Sequence, residues 1–356
     1  MTYALPHIEQ ITPYPVTEAS LDGSMIKLDQ NESPFPPSQQ VIHLMANLGE
    51  QVMRQYPDAA AGRLRDTIAA HYCLSRDCIV IGSGSSELIT ALFRTFVDQR
   101  RSAVMPYPTF ALYQVAAEAA NASMSFIPTR DDYTIDTEAL LNADAAVIAL
   151  VNPNAPTGRL LTRDQIEAIV RRARGLVCID EAYMDFAGEE HSAIPLTQQY
   201  DNLVVLRTFS KAYALSGARI GYAIGSPAII KAFEKTKTVY NVSSISMALA
   251  AQAMLDQSHM LTTVAAICAT RDRFIAELIK IGFDVVPSQT NFILCTPPAR
   301  EGCPNAPQLV RLLADNGIAI RYFNAARLQD KVRISIGTDE QMTELTSLLR
   351  SFYPYA

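Results

Sequence analysis

Four short segments carry reactive or anion-binding residue types, and each lies at the end of an apolar run. GSGSSE (82–87) ends CIVIG, NPNAPTG (152–158) follows AAVIALV, DEAYMDF (180–186) ends GLVCID, and RTFSKAYALSGARIGY (207–222) follows NLVVL. A Gly/Ser turn ahead of a helix turns backbone N–H groups toward an anion, and the helix dipole favours negative charge there. Glu87 stands where a dinucleotide fingerprint needs its third glycine, and the chain has no Gly-Lys dipeptide for a Walker A loop. The turn therefore reads either as a site for another kind of phosphate or as an ordinary strand-to-helix turn. Lys211 offers an amine, Asp180 a carboxylate at a strand end, and Arg219 a guanidinium. Each segment also has a plainer reading: NPNAPTG as a Pro/Gly turn, Asp180 as a helix cap, Lys211 as a solvated surface lysine. Together they lie past the carboxyl ends of apolar strands, where open α/β sheets bind ligands, and their order fits one chemistry.

The elements that must hold these residues alternate from about residue 60 to 225. Strands are expected at 78–82, 102–106, 123–128, 145–151, 175–180, 202–210 and 219–225. Helices are expected at 87–97, after PTF (111–121), and at 163–174 with Thr162 as N-cap. AAVIALV is a continuous apolar run of the kind buried in a parallel sheet. This pattern predicts an α/β domain with a mostly parallel sheet covered by helices. After about 226 come helices (227–238, 245–256, 260–282) and then short strands, among them IAIRY (318–322), mixed with two further helices, the last over DEQMTELTSLLRSF (339–352). This is an α+β texture. The loop 296–307 is Pro-rich, and the stretch to about 28 is weakly patterned.

The chain has 356 residues, long enough for about two domains. Thirty basic against 36 acidic residues give a net charge of −6, so a basic nucleic-acid face is not expected. Hydrophobic residues make up 49% and charged ones 19%, which excludes a largely disordered chain. No apolar run approaches the roughly 18 residues a membrane span needs, and the opening MTYALPHIEQ lacks a secretory pattern. The six cysteines form no CxxC pair and the five histidines no HExxH, so reduced thiols and no metal site are expected in a cytoplasmic protein.

From Tyr14 to Gly337 the chain resembles the fold type I pyridoxal-phosphate enzymes, the class I/II aminotransferases, and within them the histidinol-phosphate aminotransferase family. DEAY and SKAYALSGARIGY, with the PTG turn upstream, carry the resemblance. It implies a large cofactor-binding domain (29–240) with a mixed, mostly parallel sheet, and a smaller α+β domain (1–28 with 241–356). It also implies pyridoxal 5′-phosphate as cofactor, an amino donor and a 2-oxo acid acceptor as substrates, and a homodimer. L-histidinol phosphate and 2-oxoglutarate, substrates in histidine biosynthesis, are the implied pair.

The same resemblance assigns roles. Lys211 would link to the cofactor aldehyde as an imine and carry the Cα proton. Asp180 would face the pyridine nitrogen and keep it protonated, Tyr183 would donate to ring O3′, and Phe110 would stack on the ring. Ser85, Ser86, Thr208, Ser210 and Arg219 match the phosphate-binding set. Tyr56 matches a tyrosine that reaches into the neighbouring subunit's site. Tyr14, Asn31, Tyr240, Arg321 and Arg333 match substrate-side positions, with the two arginines on the donor's anionic end. Asn291 matches a recurring structural segment.

One position departs from the family pattern: the Asn before PTG is Ala155. A lost donor to O3′ is worth about 1 kcal/mol, or roughly 0.7 pKa unit. A raised spectroscopic pKa is expected, lowered again by Ala155→Asn, unless Asn152, Asn154 or a water substitutes. Aromatic amino acid transamination and threonine-phosphate decarboxylation are competing readings, because one arginine can meet an α-carboxylate and substrate orientation decides which Cα bond breaks. A cofactor-binding sensor is the non-catalytic alternative, disfavoured by the acidic charge and by a leading stretch too short for a helix-turn-helix. Pro13 and Pro15 around Tyr14 suit a stiff strap, either a lid or a surface run.

Overall fold

A computed structural model describes residues 3–14 and 25–354; Pro15 and most of the expected strap lie outside the described residues. Among the described residues the strands are β1 (Ile26–Leu28), β2 (Ile79–Gly82), β3 (Ala103–Tyr107), β4 (Met124–Pro128), β5 (Val147–Val151), β6 (Leu176–Asp180), β7 (Leu203–Thr208), β8 (Gly221–Gly225), β9 (Asp284–Val285), β10 (Phe292–Thr296), β11 (Ile318–Tyr322) and β12 (Val332–Ser335). They form two sheets. The larger has the order β2-β8-β7-β6-β5-β3-β4, the smaller β1-β11-β12-β10-β9.

In the larger sheet only β8 is reversed; it pairs antiparallel with both β2 and β7, and the other neighbours are parallel. The expected α/β class, mostly parallel and helix-covered, is the one found. Strands β2, β5, β7 and β8 are buried along their whole length, which is why they read as continuous apolar runs. The helix Arg163–Arg172 begins with a full capping box, Thr162 with Gln165, as the expected cap at Thr162 requires. The helix Gly84–Phe96 starts three residues earlier than its apolar pattern, taking the Gly/Ser turn into its first turn.

At the ends of β6 and β7 a charge is buried. Arg207 is 2% exposed and pairs with Glu181 at 3.0 Å, Asp185 at 3.2 Å and Glu189 at 2.8 Å. Glu181 also accepts from the Ser192 hydroxyl (2.8 Å) and the Ala193 N–H (2.6 Å), so its charge is fully bonded inside the fold.

Several elements are absent from the sequence reading. Among them are β1 and the helices Gln39–Ala46, Gly62–Tyr72 and Thr137–Asn142. β1 is three residues long, and it forms by pairing in parallel with β11 far along the chain, Ile26 opposite Ile318. So short a segment shows no period of its own. Its pairing delivers residues 29–32 to the cleft between the sheets.

Candidate active site

A cavity of about 470 Å³ opens at the carboxyl ends of β5, β6 and β7, facing β11 and β12. It brings together Tyr14, Asn31, Ser85, Ser86, Phe110, Asp180, Tyr183, Thr208, Ser210, Lys211, Arg219, Arg321 and Arg333. Tyr56 and Tyr240 are the two expected residues that do not line it. They stack on each other, centroids 4.7 Å apart, and are 82% and 44% exposed.

The anion end is built from two strand ends and one helix start. Ser85 and Ser86 lie in the first turn of the helix Gly84–Phe96, where backbone N–H groups have no partner within the helix. Glu87 accepts the Ser83 N–H (2.6 Å) and the Asn241 amide (2.7 Å), so its carboxylate is engaged at the helix N-cap. The Thr208 and Ser210 hydroxyls are 2.9 Å apart, and Arg219 donates to Ser210 at 3.3 Å and to the Ser216 carbonyl at 3.0 Å. Gly84 has φ +71°, and a Cβ there would lie 2.5 Å from the Arg219 guanidinium. The backbone conformation therefore requires the glycine, and a side chain there would also displace the Arg219 guanidinium. Gly158 of the PTG turn is similarly fixed, at φ +78° and against Ser288.

Asp180, the last residue of β6, is 1% exposed. Burial pushes its carboxyl up to about 6, while hydrogen bonds from Tyr113 (3.1 Å) and the Ala182 N–H (3.1 Å) hold it down. Tyr113 is the clearest functional residue missing from the sequence reading. It stands three residues after Phe110, one helical turn on, which is the signal that could have found it. Phe110 packs edge-on to Tyr14 (5.9 Å) and Tyr113 (6.5 Å).

Lys211 reaches in from the β7 loop. Its Nζ donates to the Gln30 carbonyl at 3.1 Å and stands 5.7 Å from the Tyr183 ring centre. Burial, then the nearby Arg333, and more weakly Arg219, push its pKa down to about 7, with Glu32 opposing them. Near neutral pH an appreciable fraction is a free amine, able to act as nucleophile or base. Tyr183 packs edge-on to Phe292 and accepts a hydrogen bond from the Asn31 amide at 3.0 Å. Ala155 lines the cavity with only a methyl group.

Opposite stand the arginines. Arg333 donates to the Asp29 carbonyl at 2.6 Å and lies 5.4 Å from the Phe292 and Phe323 rings. Its Nε is buried without a hydrogen-bond partner among the described residues. Arg321 lies over Phe323 at 5.6 Å. Asn291 supports the floor, donating to the Asn31 carbonyl at 3.1 Å.

Among the described residues no helix is long and apolar enough to cross a membrane. Residues 23–349 match the family described as aminotransferase class I and II. The chain is 39% identical over 341 residues to histidinol-phosphate aminotransferase 1 of Oceanobacillus iheyensis, covering 95% of this chain and 94% of that one. It is 34% identical over 349 residues to the enzyme of the same name from Trichormus variabilis, covering 98% of each. Among solved structures it is similar to histidinol-phosphate aminotransferase from Sinorhizobium meliloti in complex with pyridoxal-5′-phosphate. The TM-score is 0.90 at 27% identity, over 99% of this chain and 98% of that one.

Proposed function

The chain belongs to the class I and II aminotransferases and is a pyridoxal-phosphate-dependent enzyme; on that premise we propose that it transfers the amino group of L-histidinol phosphate to 2-oxoglutarate, in histidine biosynthesis. The observation that carries this choice of donor is the pair Arg321 and Arg333 in one cavity with Lys211. Two guanidiniums suit a phosphate dianion, and Arg333 keeps a buried N–H to give.

The cavity's donor set fits the cofactor: a hydroxyl, amide and guanidinium cradle, a buried carboxylate, an aromatic face and a half-neutral lysine. When bound, pyridoxal 5′-phosphate supplies an aldehyde that takes up the donor's amino group and a ring that accepts electrons from Cα. Ser85, Ser86, Thr208, Ser210 and Arg219 would hold its phosphate. Asp180 would keep a proton on the ring nitrogen, the cation there offsetting the cost of burying the carboxylate. Tyr183 would donate to O3′ and Phe110 would cover one ring face. Lys211 Nζ would take the proton from the donor's Cα and return it across the intervening nitrogen, at C4′. Tyr14 and Asn31 belong to the substrate side of this reading; Tyr240 has that role in the family pattern but does not line this chain's cavity.

The reading extends to a homodimer in the cytoplasm, with Tyr56 serving the neighbouring subunit's site; the exposed Tyr56–Tyr240 stack supports a role outside this chain's own cavity. It also divides the chain into 29–240 and 1–28 with 241–356, supported by the two separate sheets.

A half-reaction tests the donor. L-histidinol phosphate added to the holoenzyme without oxo acid is expected to bleach the cofactor's visible band, and 2-oxoglutarate to restore it. Bleaching by aromatic amino acids in preference, or release of carbon dioxide from phosphothreonine, would overturn the assignment.

A further inference from the structure

We propose that Asn31, braced by Ser335, is a positioning residue for Tyr183: it directs the Tyr183 proton toward the cofactor's O3′ and so compensates for the donor missing at Ala155. This rests on the function proposed above.

The two asparagines nearest the gap are committed elsewhere. Asn152 donates to the Leu161 carbonyl (3.0 Å) and accepts the Leu161 N–H (2.7 Å). Asn154 donates to the Pro108 carbonyl (3.1 Å) and to the Thr157 hydroxyl (2.8 Å), and accepts from Thr109 (3.1 Å). Neither residue lines the cavity, so the Tyr183 hydroxyl carries the task.

A phenol has one proton to give and lone pairs that accept. The Asn31 Nδ2 donates to the Tyr183 oxygen at 3.0 Å, which occupies a lone pair and leaves the proton for the cavity side. The amide is held in that sense by Ser335. Its hydroxyl accepts the Asn31 backbone N–H at 2.8 Å and donates to Asn31 Oδ1 at 3.0 Å. With Oδ1 taken, Nδ2 is the end that faces the tyrosine. The Asn31 backbone is itself in the left-handed region, φ 55°, and is pinned by Asn291 through its carbonyl.

The donated bond favours a negatively polarised tyrosine oxygen and strengthens what that hydroxyl gives onward. The charged groups around Tyr183 are Arg333, Lys211 and Asp180. Ser335 stands two residues after Arg333 on β12. The relay therefore joins the strand bearing a substrate-side arginine to the tyrosine on the cofactor side.

The test is the pH titration of the visible absorption of the resting holoenzyme, with no substrate present. Asn31→Gly keeps the left-handed backbone accessible and removes only the amide. It is expected to raise the titration midpoint by about half a pH unit, since O3′ loses a well-aimed donor. Ser335→Ala should move it in the same direction by less. In a Tyr183→Phe background neither change should add anything, and Ala155→Asn should bring the Asn31→Gly midpoint back toward wild type. A midpoint unmoved by Asn31→Gly, or a shift that survives in Tyr183→Phe, overturns the relay while leaving Tyr183 at O3′. A midpoint unmoved by Tyr183→Phe overturns both. If Asn31→Gly does not fold, Ser335→Ala with and without Tyr183→Phe separates the same outcomes.

Discussion

Arg321 and Arg333 are direct partners across the antiparallel ladder of β11 and β12. Like charges facing each other across strands destabilise a sheet, and here both also lie against Phe323. An anion held between them converts that repulsion into binding. Arg321→Gln and Arg333→Gln are each expected to raise KM for L-histidinol phosphate at least tenfold. Inorganic phosphate should raise the melting temperature of the wild-type holoenzyme more than that of either variant. Equal stabilisation of all three would argue against a shared anion.

Tyr113 gives Asp180 its only side-chain hydrogen bond among the described residues, and it does so from inside the core. Hydrogen bonds to charged groups are worth about 1.5–3 kcal/mol. Tyr113→Phe should push the Asp180 carboxyl further up, so that it holds the ring-nitrogen proton less well. About tenfold weaker cofactor binding is expected on titrating pyridoxal 5′-phosphate into the apoprotein, with little change in fold by circular dichroism.

Lys211 makes a pH prediction with a definite sign. Its folded pKa, about 7, lies below its ordinary value of 10.5. The unfolded chain therefore binds more protons between those values, and stability of the apoprotein rises with pH across that window. The destabilisation is fully present below about pH 7 and gone above about 10.5. Lys211→Met apoprotein should melt above wild type at pH 7, with the difference closing toward pH 10.5. The same variant should lose turnover by about three orders of magnitude or more.

The role proposed for Tyr56 in a neighbouring subunit's site can be tested in solution. A Tyr56→Ala protein and a Lys211→Ala protein are each expected to be nearly inactive. Mixed and allowed to exchange subunits, they should regain part of the activity, because one site of each hybrid then draws both residues from intact copies. No recovery, with exchange verified by size and tag, would remove Tyr56 from the neighbouring site.

Much of the large sheet was legible because its strands are buried on both faces and its loops carry unusual residues where strands end. The helix Asp339–Phe352 and the strand Ile318–Tyr322 matched their expected bounds because each has a clear period and a cap or turn beside it. What was not legible depended on distant pairing. β1 exists because β11 is there, and Asn31 reaches Tyr183 and Ser335 across separations of 152 and 304 residues. Lys211, Asp180 and Arg219 stand in recognisable strings, whereas Ser335 stands in an ordinary strand and gains meaning only through the residue opposite.

Glu181 and Arg207, buried as an ion pair, are chain neighbours of Asp180 and Thr208. The segments that carry them, LVCIDE and LVVLRT, are apolar on both sides, so alternation of residue type does not choose how they align. A slip by one residue would turn Glu181 toward the cavity and Asp180 into the core. It would also strand the Arg207 charge in the interior, at a cost of about 3–5 kcal/mol. The buried pair thus works as a key that admits one alignment of β6 and β7, the one in which a carboxylate of the right length and a hydroxyl face the same opening.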